Sequence, residues 1–243
     1  MLWFDLSRNP TSDEKRKGSL YLLSFEILPG VSVSDNALAA ELGMSRAPVR
    51  EAIMRLEAIG LIERCASGVI CAPLGNEDIL EICCLRMTLE TLAVELVFDR
   101  GGLGQSQKNE FTHVFDQLTQ TSSQQEQNYE QGYYWDDVFH STIIRFSGNT
   151  RLVRILQQMQ LQIARVRWLN ILSPRHQTTY EEHAELYRSL MADDREASIS
   201  AMQVHLKHTK ENFMKILESP QYKLVHAGTF LLTADERGME VRS

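Results

Sequence analysis

Apolar residues recur at helical spacing along almost the whole chain, and Gly, Pro, Ser and Asn positions bound the elements. Leu20, Leu23 and Ile27 share one face over residues 13–27, and Pro29-Gly30 stops that helix. Leu38 and Leu42 fall at i, i+4 in a short helix over 36–42 that Gly43 ends, and Ser45 is a good N-cap for the next run. Pro48 sits in the first turn of that second helix, where its missing N–H has no intrahelical partner to lose. Val49, Ile53 and Leu56 continue it to Gly60, and Leu61-Ile62 and Val69-Ile70 flank Ser67-Gly68 as a small β-hairpin. From Asn76 on, helical periods span about 76–99, 106–121, 127–147, 150–172, 176–192 and 194–218, with no alternating strand run. Short connections predict antiparallel neighbours. The expected fold is therefore mainly α: a winged helix-turn-helix over 1–75, an all-α antiparallel helical bundle over 76–218, and a C-terminal tail over 219–243.

Composition excludes several classes. Of the 243 residues 43% are hydrophobic and 23% charged, which is enough to bury a core and rules out a wholly disordered chain. No apolar run is long enough for a membrane span, and Met1–Pro10 lacks the basic start and apolar block of a signal peptide, so a cytoplasmic protein is expected. Cys65, Cys71, Cys83 and Cys84 show no CxxC spacing; the pair Cys83-Cys84 reads as buried thiols, and no disulfides are expected. The net charge of −7 argues against a protein that coats nucleic acid. Residues 1–75 nevertheless carry eight Lys+Arg against nine Asp+Glu, so the acidity belongs to the bundle and a local basic surface is permitted.

The second short helix carries such a surface. Arg46 and Arg50, at i, i+4 near its N-terminus, leave one face, where a guanidinium fork suits guanine O6 and N7 or a phosphate. The alternative is solvated arginines paired with Glu51 or Glu57. Lys15-Arg16-Lys17 is a second basic cluster, read as a solvated face or a phosphate contact. The segments Leu28-Pro29-Gly30, Leu38-Ala39, Leu42-Gly43-Met44-Ser45-Arg46-Ala47-Pro48-Val49-Arg50-Glu51-Ala52, Leu56-Glu57 and Gly60-Leu61-Ile62 resemble the N-terminal domain of GntR-type transcription regulators. The resemblance implies that Ser45, Arg46 and Arg50 make the main contacts to double-stranded operator DNA. Two positions depart from the pattern: the wing Cys65-Ala66-Ser67-Gly68 lacks a basic residue, and Asn36 stands where some members have arginine.

The bundle carries a second constellation. Asp136 and His140 lie one helical turn apart on one side, His183 shares its helix with Leu186 and Leu190, and His205 follows Ile199 and Met202. Were these helices neighbours, the four side chains could converge as they do in bundle metal sites, and such nitrogen and oxygen donors suit Zn, Ni, Mn or Fe. The bland alternative is four ordinary helical side chains, with Asp136 and His140 an i, i+4 pair. Asp137, about 100° from Asp136, is expected to face solvent, and Glu182 to point elsewhere on its helix than His183. His113, His176, His208 and His226 keep that bland reading. Asp136–His140, Gly148-Asn149 before Leu152, Glu182-His183, and Ala197 with Met202 and His205 are similar to the FCD ligand domain of the FadR subfamily. In its metal-binding members an Asp and three His hold a divalent cation, and the matching positions are Asp136, His140, His183 and His205. Their presence points away from the acyl-CoA branch. Arg86 and Glu90 match the opening motif, where Arg86 either pairs with an effector carboxylate or forms a structural salt bridge.

Together these readings lead to the expectation of a ligand-responsive transcription regulator that uses a divalent metal (Zn, Ni or Mn) and a small carboxylate effector. Because one recognition helix reads only a few base pairs, a homodimer on a pseudo-palindromic operator is expected. The competing readings are a regulator whose signal is the metal ion itself and a metal-dependent hydrolase. No general base or nucleophile is evident beside the four ligands.

Overall fold

The computed structural model describes residues 30–41, 43–66, 68–123, 129–168 and 176–220. The expected helix over 13–27, the Lys15-Arg16-Lys17 cluster and the tail beyond residue 220 lie outside these. Contacts divide the chain into two compact units: residues 1–75, 159–168 and 217–243 in one, and 76–158 and 169–216 in the other.

In the first unit α1 (Asp35–Glu41) and α2 (Arg46–Ala58) are followed by the hairpin β1 (Ile62–Cys65) and β2 (Gly68–Cys71). Ser34 caps α1 by accepting the Ala37 N–H at 3.3 Å. Gly43, at φ +65°, makes the turn between the helices in a conformation that only glycine adopts cheaply. The hairpin is antiparallel, pairing Ile62 with Cys71 and Cys65 with Gly68. Its other edge takes up the incoming chain, since Val33 N–H donates to Val69 O and Cys71 N–H to Val31 O. Val33, Leu38, Val49, Ile53, Leu56, Leu61, Ile62 and Cys71 form one buried cluster.

Leu161 and Ala164 belong to the same cluster, although both lie in α6 (Thr150–Trp168). Residues 159–168 of α6 thus belong with the first unit. The reason lies in specific bonds as well as apolar packing: Gln162 Nε2 donates to Ile59 O at 2.9 Å, and buried Arg165 donates from Nη2 to Ala72 O at 2.6 Å. Ile59 is the C-cap residue of α2 and Ala72 directly follows β2, so both carbonyls lie just past the end of an element.

The second unit holds α3 (Asn76–Asp99), α4 (Gln105–Ser123), α5 (Tyr129–Phe146), the first part of α6, α7 (His176–Met191) and most of α8 (Arg195–Glu218). Asn149 caps α6 by accepting the Arg151 and Leu152 N–H groups, and Asp194 caps α8 through the Ala197 N–H. α5 packs against both α3 and α4, and α4 also packs against α7. The core is aromatic: Phe111 lies 5.0 Å from Phe139, and Phe115 stacks on Tyr187 at 4.2 Å between centroids. Val94, Ile143, Leu186, Leu190 and Met202 complete it, so the residues beside the histidines in sequence are the ones that fix their helices.

Two expectations fail here. Asp137 is buried rather than solvent-facing, and it accepts from Ser141 Oγ at 3.5 Å. An amphipathic pattern assumes one covered face, whereas α5 is covered by two neighbours, so the position about 100° from Asp136 is enclosed as well. Cys84 is exposed, on the same side of α3 as exposed Leu85, Thr88 and Leu92, whereas Cys83 is buried. All four cysteines are free thiols.

Candidate functional site

The three bundle histidines come from three helices: His140 from α5, His183 from α7 and His205 from α8. All three are buried, and their ligand nitrogens lie within 4.8 Å of one another. His183 Nε2 is 3.2 Å from His140 Nε2 and 3.3 Å from Asp136 Oδ1, while His140 Nε2 is 3.9 Å from that oxygen. Donor atoms on a shared ion with bonds of about 2.1 Å are separated by about 3.0 to 3.4 Å at adjacent octahedral or tetrahedral corners. The structure thus brings the three histidines together and sets Asp136, partly exposed, at the edge of the triad.

The outer nitrogens show why this cluster suits a cation. His140 Nδ1 faces Glu90 Oε2 at 2.7 Å, and His205 Nδ1 meets Glu182 Oε2 at 3.0 Å. At His205 the Glu182 carboxylate on Nδ1 favours the proton there and leaves a lone pair on Nε2. Burial pushes the His205 imidazole down in pKa, against the opposing pull of Glu182, so its neutral form is favoured. Neutral imidazoles with inward lone pairs 3.2 Å apart repel one another unless a proton or a cation lies between them. The donor set fits a divalent ion of the Zn, Ni or Mn type.

Glu182 was missed at the level of sequence. The expectation that it points elsewhere fails: it is largely buried, and its second oxygen lies 2.7 Å from Nδ1 of His208. The available signal was its place beside His183, but the partners lie on α8 and no local spacing reveals them. His208 is correspondingly more than a lone surface histidine. Glu90 was also missed in this role. It accepts from buried Arg86 Nε at 2.7 Å, and although burial opposes the charge on that guanidinium, the Glu90 carboxylate outweighs it and holds Arg86 firmly protonated. Of the two roles expected for Arg86, the structure contains the salt bridge, made through Nε.

The candidate DNA face belongs to the first unit. Ser45 begins α2 with extended backbone and makes no side-chain capping bond, so its hydroxyl is not used by the helix. Arg46 and Arg50 are exposed on one face, as their spacing predicts. Their acidic partner is neither Glu51 nor Glu57 but Asp35, whose Oδ2 lies 3.0 Å from Arg46 Nη2 and 3.1 Å from Arg50 Nε. Glu51 pairs with Arg55, and Glu57 with Arg64 on β1, an exposed basic residue of the hairpin that the wing sequence did not suggest.

Residues 81–208 match the FCD domain family, and residues 21–68 match the family described as bacterial regulatory proteins, gntR family. The chain belongs to the GntR family and carries an FCD domain. This GntR regulator is 30% identical over 194 residues to the uncharacterized HTH-type transcriptional regulator YdhC of Bacillus subtilis (strain 168), covering 78% of this chain and 84% of that one. It is 28% identical over 197 residues to the Nta operon transcriptional regulator of Aminobacter aminovorans, covering 81% and 89%. Among solved structures, E. coli McbR/YncC shares the fold with a TM-score of 0.70 at 21% identity, over 86% of this chain and 96% of that one. The regulator is thus a DNA-binding transcriptional regulator of the FadR-like type, and its relatives are regulators, not enzymes. No helix among the described residues is long and apolar enough to cross a membrane.

Proposed function

We propose that this regulator responds to a small organic acid through a divalent cation held by Asp136, His140, His183 and His205. The observation that carries the reading is the convergence of three buried histidines whose ligand nitrogens lie within 4.8 Å of one another, with the Nε2 atoms of His140 and His183 3.2 Å apart and the outer nitrogen of His205 on the buried Glu182 carboxylate. When bound, the ion would supply Lewis acidity toward a carboxylate or hydroxyl group at coordination positions the protein leaves open. The chain's own residues set the rest. Glu90 and Glu182 orient two of the imidazoles, Phe139 packs against the His183 ring at 4.9 Å, and the burial of all three histidines limits competition from water.

Asp136, His140, His183 and His205 lie on three helices, so occupancy of the site biases how those helices pack, which is the quantity an effector must change. On the DNA side, Ser45, Arg46 and Arg50 read and clamp the operator. The protein acts as a homodimer, because one α2 helix covers too few base pairs for specific binding, and it works in the cytoplasm, where the operator is. The test is operator binding by chelator-stripped protein with and without Zn, Ni or Mn, across a panel of hydroxy acids, sugar acids and amino acids. A shift in DNA affinity that needs both metal and one class of acid supports the reading. A response to metal alone would make the ion itself the signal, and no response to any pair would overturn both.

A further inference from the structure

Two arginines on one face of a recognition helix are an indiscriminate device unless something restrains them. Each guanidinium has several rotatable bonds behind it, and the strongest acceptors on any duplex are its phosphates, which carry no sequence information. In this protein one carboxylate oxygen holds both. Asp35 Oδ2, in the first turn of α1, accepts a hydrogen bond from Arg46 Nη2 at 3.0 Å and forms an ion pair with Arg50, 3.1 Å from its Nε. Asp35 and Arg50 also line a cleft of about 500 Å³ together with Val33, Ile53, Met54 and Arg64. The guanidinium pull is strong enough to hold the Asp35 carboxyl below its ordinary value, with the Arg46 bond as the largest cause.

The atoms used are informative. The Asp35 contact approaches Arg50 at Nε and uses neither of its terminal nitrogens, the pair that can meet guanine O6 and N7 end-on. The negative charge of Asp35 also repels a phosphate approaching the same place. A neutral base edge meets no such penalty.

We infer that Asp35 is a positioning residue for sequence specificity, which aims Arg46 and Arg50 at base edges and disfavours their capture by phosphates. The inference rests on α2 being the DNA-reading helix. Sequence separations of 11 and 15 residues across a turn hide this relation from any local pattern.

The experiment uses the full-length protein, a duplex enriched from a randomised library by the wild type, and a scrambled duplex of the same length and composition. Fluorescence anisotropy across a salt series is measured for the wild type, Asp35→Asn, Asp35→Glu and Arg50→Ala, with Asp35→Ser as a second neutral variant should Asn disturb the fold. The expected result for Asp35→Asn is tighter binding to the scrambled duplex and a roughly ten-fold smaller preference for the enriched one, on the scale of one bidentate base contact. Its salt slope on scrambled DNA should steepen by about 0.9, the signature of one added phosphate contact. Asp35→Glu should restore most of the preference. Equal weakening on both duplexes with an unchanged slope would mean that Asp35 only builds the helix pair, and would overturn the inference. If Arg50→Ala reduces the preference while Asp35→Asn leaves it intact, the Asp35 inference alone fails; if neither variant alters it, the reading of α2 as the recognition helix fails as well.

Discussion

Glu182→Gln perturbs the candidate metal centre without removing a ligand. In the native protein one Glu182 oxygen lies 3.0 Å from His205 Nδ1 and the other 2.7 Å from His208 Nδ1, with the carboxylate largely buried. Gln keeps the shape and one acceptor but loses the charge that makes His205 a stronger donor to a cation. Loss of such an outer partner lowers metal affinity by about 10- to 100-fold. At a fixed excess of metal this removes about 1.4 to 2.7 kcal/mol of ligand-linked stability. The unit that contains the site has roughly 130 residues, so its unfolding entropy is near 0.27 kcal/mol/K and the melting temperature of the metal-loaded protein should fall by about 5 to 10 °C. The chelator-treated variant should change by less, because half-exposed His208 can reorient to meet the new amide. The assay is differential scanning calorimetry of both proteins with and without added Zn or Mn, paired with competitive titration of the metal. An unchanged metal affinity, or a melting difference of the same size in both conditions, would refute the outer-carboxylate reasoning.

Further outcomes follow from backbone and burial. Gly132 lies inside α5 with open space where a Cβ would go, so Gly132→Ala should stabilise the protein by about 0.5 to 1 kcal/mol in chemical denaturation. Gly148, at φ +62° with the Arg100 guanidinium against it, should lose about 1 to 2 kcal/mol or more on the same substitution. Burial pushes the Cys71 and Cys83 thiols up in pKa, so mass-spectrometric mapping after brief alkylation should find Cys65 and Cys84 modified well before them.

The sequence made the helix ends legible because they are set by local chemistry. Gly43 and Asn149 mark a stop and a start through turn and capping requirements that need no tertiary information, whereas Ser45 precedes α2 without the side-chain cap its type suggests. Asp136 and His140 were also legible, since i, i+4 spacing puts two side chains on one side whatever surrounds the helix. Relations between elements stayed hidden. The burial of Asp137 needs a second neighbour for α5, the entry of Leu161 and Ala164 into the first core needs α6 beside the hairpin, and the Glu182 and Asp35 pairings cross from one helix to another. Periodicity reports which face of a helix is apolar and says nothing of how many partners cover it.

The central claim is that Asp136, His140, His183 and His205 form one cation site. Metal content by plasma mass spectrometry, on wild type and His183→Ala purified without chelator and then exposed to a slight excess of Zn, Ni or Mn before desalting, tests it most directly. The account predicts one retained ion per chain in the wild type, with a raised melting temperature, and loss of both in His183→Ala. No retained metal in the wild type, together with unchanged stability on adding all three ions, would contradict it.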